Sequence, residues 1–134
     1  AGVGRVLFCH GSPRSDEEMM TAETSESRLR EFLDGVEAEV VVCGHTHMPF
    51  DRVIDGARII NPGSVGMPYG DPGAFWALLG PGVEFRRTDY DREAAAARIR
   101  RSAWPGAEEF AKSNVVAVPS VEDAIAFFKK AGGP

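Results

Sequence analysis

A chain of 134 residues with fifteen Lys and Arg against twenty Asp and Glu carries a net charge of −5, with 43% hydrophobic and 26% charged residues. That balance is ordinary for one folded domain: it excludes a disordered chain, and it offers no overall field to attract nucleic acid or an anionic membrane. No apolar stretch nears the ~20 residues a membrane helix needs and no basic segment leads into a short apolar one, so the expected location is the cytoplasm, with no membrane partner.

The length predicts a single domain over residues 1–134. Ala1-Gly2-Val3-Gly4 reads as a turn that runs straight into a strand over Arg5 to Cys9. Residues 11–24 form a polar loop that includes Pro13, Glu17 and Glu18. Leu29, Phe32 and Leu33, spaced i, i+3, i+4, predict a short amphipathic helix within Ser25 to Val36, closed near Gly35. Val40-Val41-Val42-Cys43 is a continuous β-branched run, the pattern of a strand covered on both faces. Strands follow at Arg58 to Asn61, Ala74 to Leu79 and Val83 to Thr88, the last two joined through Gly80-Pro81-Gly82. Four glycines and three prolines within residues 61–73 imply a defined irregular path there.

Asp91 caps a predicted helix from Arg92 to about Ser102, with Ala94, Ala97 and Ile99 on its apolar side and Arg98, Arg100 and Arg101 at its basic end. Trp104-Pro105-Gly106 stops it, and a second short helix over Ala107 to Ser113 leads into Val115-Val116-Ala117-Val118. Ser120 caps a third helix whose Val121, Ala124, Ile125 and Phe128 form one stripe, ended by Gly132-Gly133. Trp104 and the Phe127-Phe128 pair are expected to bury against the sheet or a subunit neighbour. Cys9 and Cys43, each ending an apolar run, read as buried reduced thiols, with metal ligation the alternative.

The chain has three histidines, and each stands where a strand gives way to a loop: His10 after the first apolar run, His45 and His47 after the valine run. Imidazole is the commonest side-chain ligand for transition metals at neutral pH. In Gly44-His45-Thr46-His47 the glycine is expected to let the backbone turn so that both imidazoles aim into one small volume. Carboxyl ends of strands are where open sheets build sites, which favours metal ligation over histidines that merely satisfy strand ends. Asp16, Glu17, Glu18, Asp51, Asp55 and Asp71 are mostly expected in helices or polar loops, so the three histidines stand without a carboxylate at a strand end. A phosphoryl site with two ions usually wants such a bridging carboxylate.

His10-Gly11-Ser12-Pro13-Arg14, then Gly44-His45-Thr46-His47-Met48-Pro49-Phe50, then Asn61-Pro62-Gly63-Ser64-Val65-Gly66 stand in an order and spacing that resembles the last motifs of calcineurin-like metallophosphoesterases, most of all the small bacterial phosphodiesterases. Phe75 to Tyr90 and the Asp91 helix are similar to the closing hairpin and Ala-rich helix of that subfamily. The resemblance implies an α/β (α+β) fold, half of a four-layer αββα sandwich with a mixed sheet and flanking helices. Residues 5–102 would be the carboxyl-terminal half of the domain and residues 103–134 a helical extension. It implies hydrolysis of a phosphate ester, by metal-activated hydroxide, at a dinuclear site. His10 and His45 would ligate one ion and His47 the other, and these three histidines would be the catalytic residues of this chain. The cofactors implied are two divalent ions, manganese first, with iron, zinc, nickel or cobalt as alternatives.

The upstream Asp-x-His, Gly-Asp and Gly-Asn-His-Asp/Glu motifs of the family have no counterpart here. The expectation is therefore an incomplete active site, whose missing amino-terminal half is supplied in cis, was cleaved away or comes from a second chain, with a homo-oligomer as a further possibility. Half a sandwich would expose an apolar sheet face and unpaired strand edges. Arg14 is a candidate contact for substrate phosphate, against a solvated or ion-paired arginine, and Tyr69 a candidate lining residue of the substrate cleft. Asn61 and Ser64 either orient ligands or serve the turn. The competing functional readings are a catalytically silent interaction scaffold of the same fold and a mononuclear zinc protein using His10, His45 and His47.

Overall fold

The structure, a computed structural model, describes residues 2–131. Its centre is a four-stranded mixed sheet built from β1 (Val6–Phe8), β2 (Val40–Val42), β3 (Phe50–Ile54) and β4 (Ala57–Asn61) in the order β1-β2-β4-β3. β1, β2 and β4 run parallel, in the registers Phe8↔Val42 and Val42↔Ile60, and β3 returns antiparallel to β4. The carboxyl ends of three parallel strands therefore meet along one edge, and each of the three motifs begins there.

The β-branched residues of β2 and β4 lie in the middle of the sheet, with Val41, Ile59 and Ile60 fully buried. Helix α1 (Glu26–Phe32) is capped by Ser25, whose hydroxyl accepts from Arg28 N–H. It buries Leu29 and Phe32 on one face of the sheet, against Val41, Cys43, Phe50, Ile54, Ile59 and Met20. Burying two side chains of this size contributes roughly 3–6 kcal/mol of transfer free energy.

β3 is a strand beyond those the sequence predicts. Its signal is Asp55-Gly56, a two-residue hairpin turn in which both residues take left-handed backbone, φ 50° and 89°, as the right-handed twist of the flanking strands demands. The hairpin closes with Ile54 opposite Ala57, and Asp51 and Arg58 pair across it at 2.6 Å.

A second, two-stranded sheet consists of β5 (Ala74–Leu79) and β6 (Val83–Thr88), antiparallel. None of its residues is fully buried, and Leu78 and Phe85 are 41% and 37% exposed. On the main sheet Phe8 is 67% exposed, and Val65 of the neighbouring loop is 64% exposed. The accessible surface of 7701 Å² exceeds the roughly 6900 Å² expected of a compact chain of 14.5 kDa.

The carboxyl-terminal third packs by itself and against the site. In α2 (Arg92–Arg100) the buried residue is Ala96, flanked by Ala95 and Ile99, so the covered face is turned from the expected Ala94 and Ala97. The reason is its partner: α3 (Ala107–Phe110) continues into a π-helical segment, Ala111–Val116, whose Ala111 and Val115 pack onto Ala96. Val115 and Val116 thus sit in a helical turn.

Helix α4 (Val121–Lys130), capped by Ser120, buries Ala124 and Phe128 on Met48 and Tyr69. Phe127, about 100° round the helix from Phe128, is 65% exposed, and Trp104, edge-on to Phe110, is 53% exposed. Of the three aromatics expected to be covered, only Phe128 is. The Gly132-Gly133 stop lies outside the described residues.

Candidate metal centre

His10 follows β1, and Gly44-His45-Thr46-His47 follows β2. The ladder continues past the strand ends: Cys9 N–H donates to Val42 O at 3.0 Å, and Gly44 N–H donates to His10 O at 2.8 Å. These bonds bring the two histidine loops side by side.

Gly44 is not the residue that turns the chain, contrary to expectation. A Cβ there would have an ordinary 3.6 Å contact with His10 O, whereas His45 and His47 themselves adopt left-handed backbone, φ 62° and 59°. A non-glycine residue in that region costs free energy and persists where its surroundings over-determine it.

Two buried polar residues do that here. Thr46, fully buried between the histidines, donates from Oγ1 to Met20 O at 2.8 Å, and its N–H donates to Gly44 O at 2.6 Å. Asn61 at the end of β4, also fully buried, donates from Nδ2 to Gly44 O at 2.7 Å and to Thr46 Oγ1 at 3.1 Å, and its Oδ1 accepts from Gly63 N–H at 2.9 Å. With its own hydrogen bonds satisfied, this network clamps the backbone on both sides of His45. Sequence reasoning missed Thr46 as the pivot. The signal was a hydroxyl in a segment with no other reason to be buried. Ser64 does turn duty, its Oγ accepting from Met67 N–H at 3.0 Å.

His10 Nε2 and His45 Nδ1 face each other at 3.1 Å, with ring planes 59° apart. Two imidazole nitrogens on one ion, each about 2.1 Å from it at 90–109°, stand about 3.0–3.4 Å apart. The pair therefore fits a shared cation, and without one, one nitrogen must be protonated and donate to the other. The His45 imidazole is held below its ordinary pKa by burial first, then by the neighbouring His10 and His47, which keeps its lone pair free at neutral pH.

His47 is held elsewhere. Its Nδ1 lies 3.0 Å from Met67 O. Because a carbonyl can only accept, Nδ1 carries the proton and Nε2 keeps a lone pair. Its ring stacks on Tyr69, with centroids 5.9 Å apart and planes 24° from parallel. Burial pushes the Tyr69 phenol above its ordinary pKa, so it stays protonated. Among the described residues no three His, Cys, Asp or Glu side chains form a group able to hold one ion.

Arg14 joins neither pair. Its guanidinium pairs with Glu18 and lies 5.1 Å over the Phe32 ring, and Ser12 donates to the same carboxylate. Arg14 beside it, helped by Ser12, holds the Glu18 carboxyl below its ordinary range. Asp55 pairs with Arg30 at 2.9 Å, so Glu18, Asp51 and Asp55 are each engaged by an arginine. Cys43, directly before this loop, is 2% exposed. Burial and the neighbouring Cys9 push its thiol up to about 12, the state of an inert core residue.

Among solved structures, this one is similar to the hypothetical protein PH1004 from Pyrococcus horikoshii OT3, with a TM-score of 0.68 at 20% identity over 87% of this chain and 48% of that one. It is also similar to a metallophosphoesterase from Sphaerobacter thermophilus, with a TM-score of 0.65 at 25% identity over 84% of this chain and 57% of that one. The chain thus spans about half the length of these structures. Comparison with curated proteins finds no match. Residues 1–80 match the model of the calcineurin-like phosphoesterase superfamily domain. With more than half its length matched and these motifs at the ends of three parallel strands, the chain belongs to the calcineurin-like phosphoesterase superfamily, whose members bind divalent metal ions and hydrolyse phosphoesters.

Proposed function

We propose that this chain supplies the three-histidine side of a two-metal phosphodiesterase. The observation that carries the reading is the 3.1 Å approach of His10 Nε2 to His45 Nδ1, with His47 held apart and its Nε2 free. In this reading His10 and His45 hold one divalent ion and His47 the other, with manganese our first choice. When bound, such ions supply Lewis acidity at the phosphoryl group and activation of water.

The chain's own residues do the preparatory work. Asn61 and Thr46 keep the His45 and His47 backbone in its costly conformation, so both imidazoles are aimed before any ion arrives. The depressed pKa of His45 keeps it a ligand near neutral pH. Met67 O fixes the His47 tautomer that leaves Nε2 free. The lack of any three-donor cluster among the described residues supports assigning His47 to a different ion rather than to a mononuclear zinc site.

Three neutral imidazoles leave the charge of two divalent ions uncompensated, so carboxylate ligands belong to the proposed site as well. Glu18, Asp51 and Asp55 are each engaged by an arginine while Asp16 acts on His45 through its charge, so we assign the further carboxylates to a source outside this segment, in cis or on a second chain. The groove of about 450 Å³ lined by Phe8, Val42, Ile60, Phe75 and Leu79 and bordered by His47 is where such a half would seat. The free thiols of Cys9 and Cys43 suit a cytoplasmic location, and a phosphate-ester small molecule is the proposed substrate.

The test is hydrolysis of bis(p-nitrophenyl) phosphate by the full-length protein with Mn²⁺ and with EDTA, alongside His45→Ala. We expect activity that needs the ion and falls at least about 100-fold in the variant. Full activity in His45→Ala would remove the metal assignment.

A further inference from the structure

His47 is held by one short irregular loop, and that loop is held by the carboxyl-terminal helix. Met67 O accepts from His47 Nδ1–H at 3.0 Å, and Tyr69 lies against the ring with centroids 5.9 Å apart. On the far side of the loop, Phe128 of α4 meets the Tyr69 ring edge-on at 6.0 Å, planes 84° apart. Gly70 N–H donates at 2.9 Å to Pro119 O, just ahead of α4. A Cβ at Gly70, where φ is +81°, would stand 2.9 Å from Val121 Cγ2, so helix and loop are in closest contact there. α4 also buries Ala124 and Phe128 on Met48, the residue after His47, and Lys129 pairs with Glu23 at 3.1 Å. Tyr69 against the His47 ring and Met48 beside it in the chain are thus both backed by the helix.

We propose that α4 is a positioning element of the metal centre: through Phe128, Tyr69 and the 67–70 loop it fixes the ring orientation and tautomer of His47. The helix lies outside residues 1–80, the segment matched by the superfamily model, and so has no part assigned to it there. The inference rests on the reading of His47 as a metal ligand. Its physical basis is general: groups that orient a ligating imidazole through its other nitrogen affect metal affinity about 10–100-fold.

The test uses the full-length protein and the variants Phe128→Ala, Tyr69→Ala, Tyr69→Phe and His47→Ala. Long-range ¹⁵N–¹H correlation spectra of the metal-free protein report the His47 tautomer. We expect a single Nδ1–H form in the parent and in Tyr69→Phe, which keeps the ring, and mixed tautomers in Phe128→Ala and Tyr69→Ala. Mn²⁺ affinity, followed by the free-ion EPR signal, should fall about 10-fold in the two alanine variants and recover in Tyr69→Phe. A Phe128→Ala protein that keeps the single tautomer and the parent affinity overturns the proposal. Should Phe128→Ala lose its helical circular dichroism, the same two measurements on Tyr69→Ala, a change at a half-buried loop residue, decide instead. His47→Ala separates the two levels: unchanged Mn²⁺ affinity there removes the metal reading, while the tautomer spectra still decide whether α4 orients His47.

Discussion

Replacing His45 and His47 in turn by Ala and by Gly isolates the backbone strain at the site. Both substitutions remove the same imidazole contacts, so the difference between them reports the conformation alone. At φ 62° and 59° an alanine carries the left-handed penalty of about 1–2 kcal/mol. A glycine avoids it but loses about 0.5–1 kcal/mol through the greater freedom of its unfolded state. The expected outcome is glycine more stable than alanine by about 0.5–1 kcal/mol at each position.

The control is Arg98, exposed in α2, where helix propensity predicts the opposite order, alanine ahead by about 0.8–1 kcal/mol. Urea unfolding at pH 7.5 in EDTA, followed by far-ultraviolet circular dichroism, measures all six variants with no ion present. In a thermal scan the gap corresponds to about 2–4 °C for a chain of this size. Alanine equal to or better than glycine at both histidines would refute the claim that the Asn61–Thr46 clamp holds them in a strained backbone.

Three other outcomes follow from the same geometry. Asn61→Ala removes two donated bonds and one accepted bond from a fully buried site and should cost about 3 kcal/mol in urea unfolding; a cost under about 1 kcal/mol would show that the network is not the clamp. Gly63→Ala puts a Cβ 2.8 Å from Phe75 Cβ and 2.9 Å from Pro49 Cγ at φ +92°. It should lower stability by at least about 2 kcal/mol, and an unchanged melting temperature would contradict the packing.

The third is a pH dependence. Glu18 is held below its ordinary 4.5 by Arg14 and Ser12. A carboxyl with a depressed folded pKa contributes stability that is complete above the unfolded value and is lost as pH falls through the folded one. The contribution is at most about 1 kcal/mol, because the partner arginine is 42% exposed. Glu18→Gln should therefore lose stability at pH 7 and less, or none, at pH 3.5. An equal loss at both values would mean that packing, not charge, is what the substitution removes.

Much of the scaffold was legible because short-range patterning carries it. The Val40-Val41-Val42 run reads as a covered strand, whereas the Val115-Val116 run folds as helix, and the Ser25 and Ser120 caps with their apolar stripes place α1 and α4 within a few residues of where they lie. The histidines were legible for the same reason, since all three stand within four residues of the end of an apolar run. β3 is less legible because the charged pair Asp51 and Arg52 interrupts its apolar pattern, although Asp55-Gly56 marks the turn that follows it. The buried face of α2 and the exposure of Trp104 and Phe127 depend on which element packs alongside, and no periodicity within a helix names its partner.

The order of residues along the chain names those available to a site: three histidines at strand ends, a mixed α/β pattern to carry them, and no carboxylate at a strand end. Which of the histidines meet is a matter of how the strands pair and the loops turn. Parallel pairing of β1 with β2 sets His10 against His45, while the left-handed turns at His45 and His47 send the second imidazole to Met67 and Tyr69 instead. Those turns violate the local preference of both residues, so no sum of local preferences could have chosen them. They persist because Thr46 and Asn61, fifteen residues apart, close a buried hydrogen-bond network that any relaxed backbone would break.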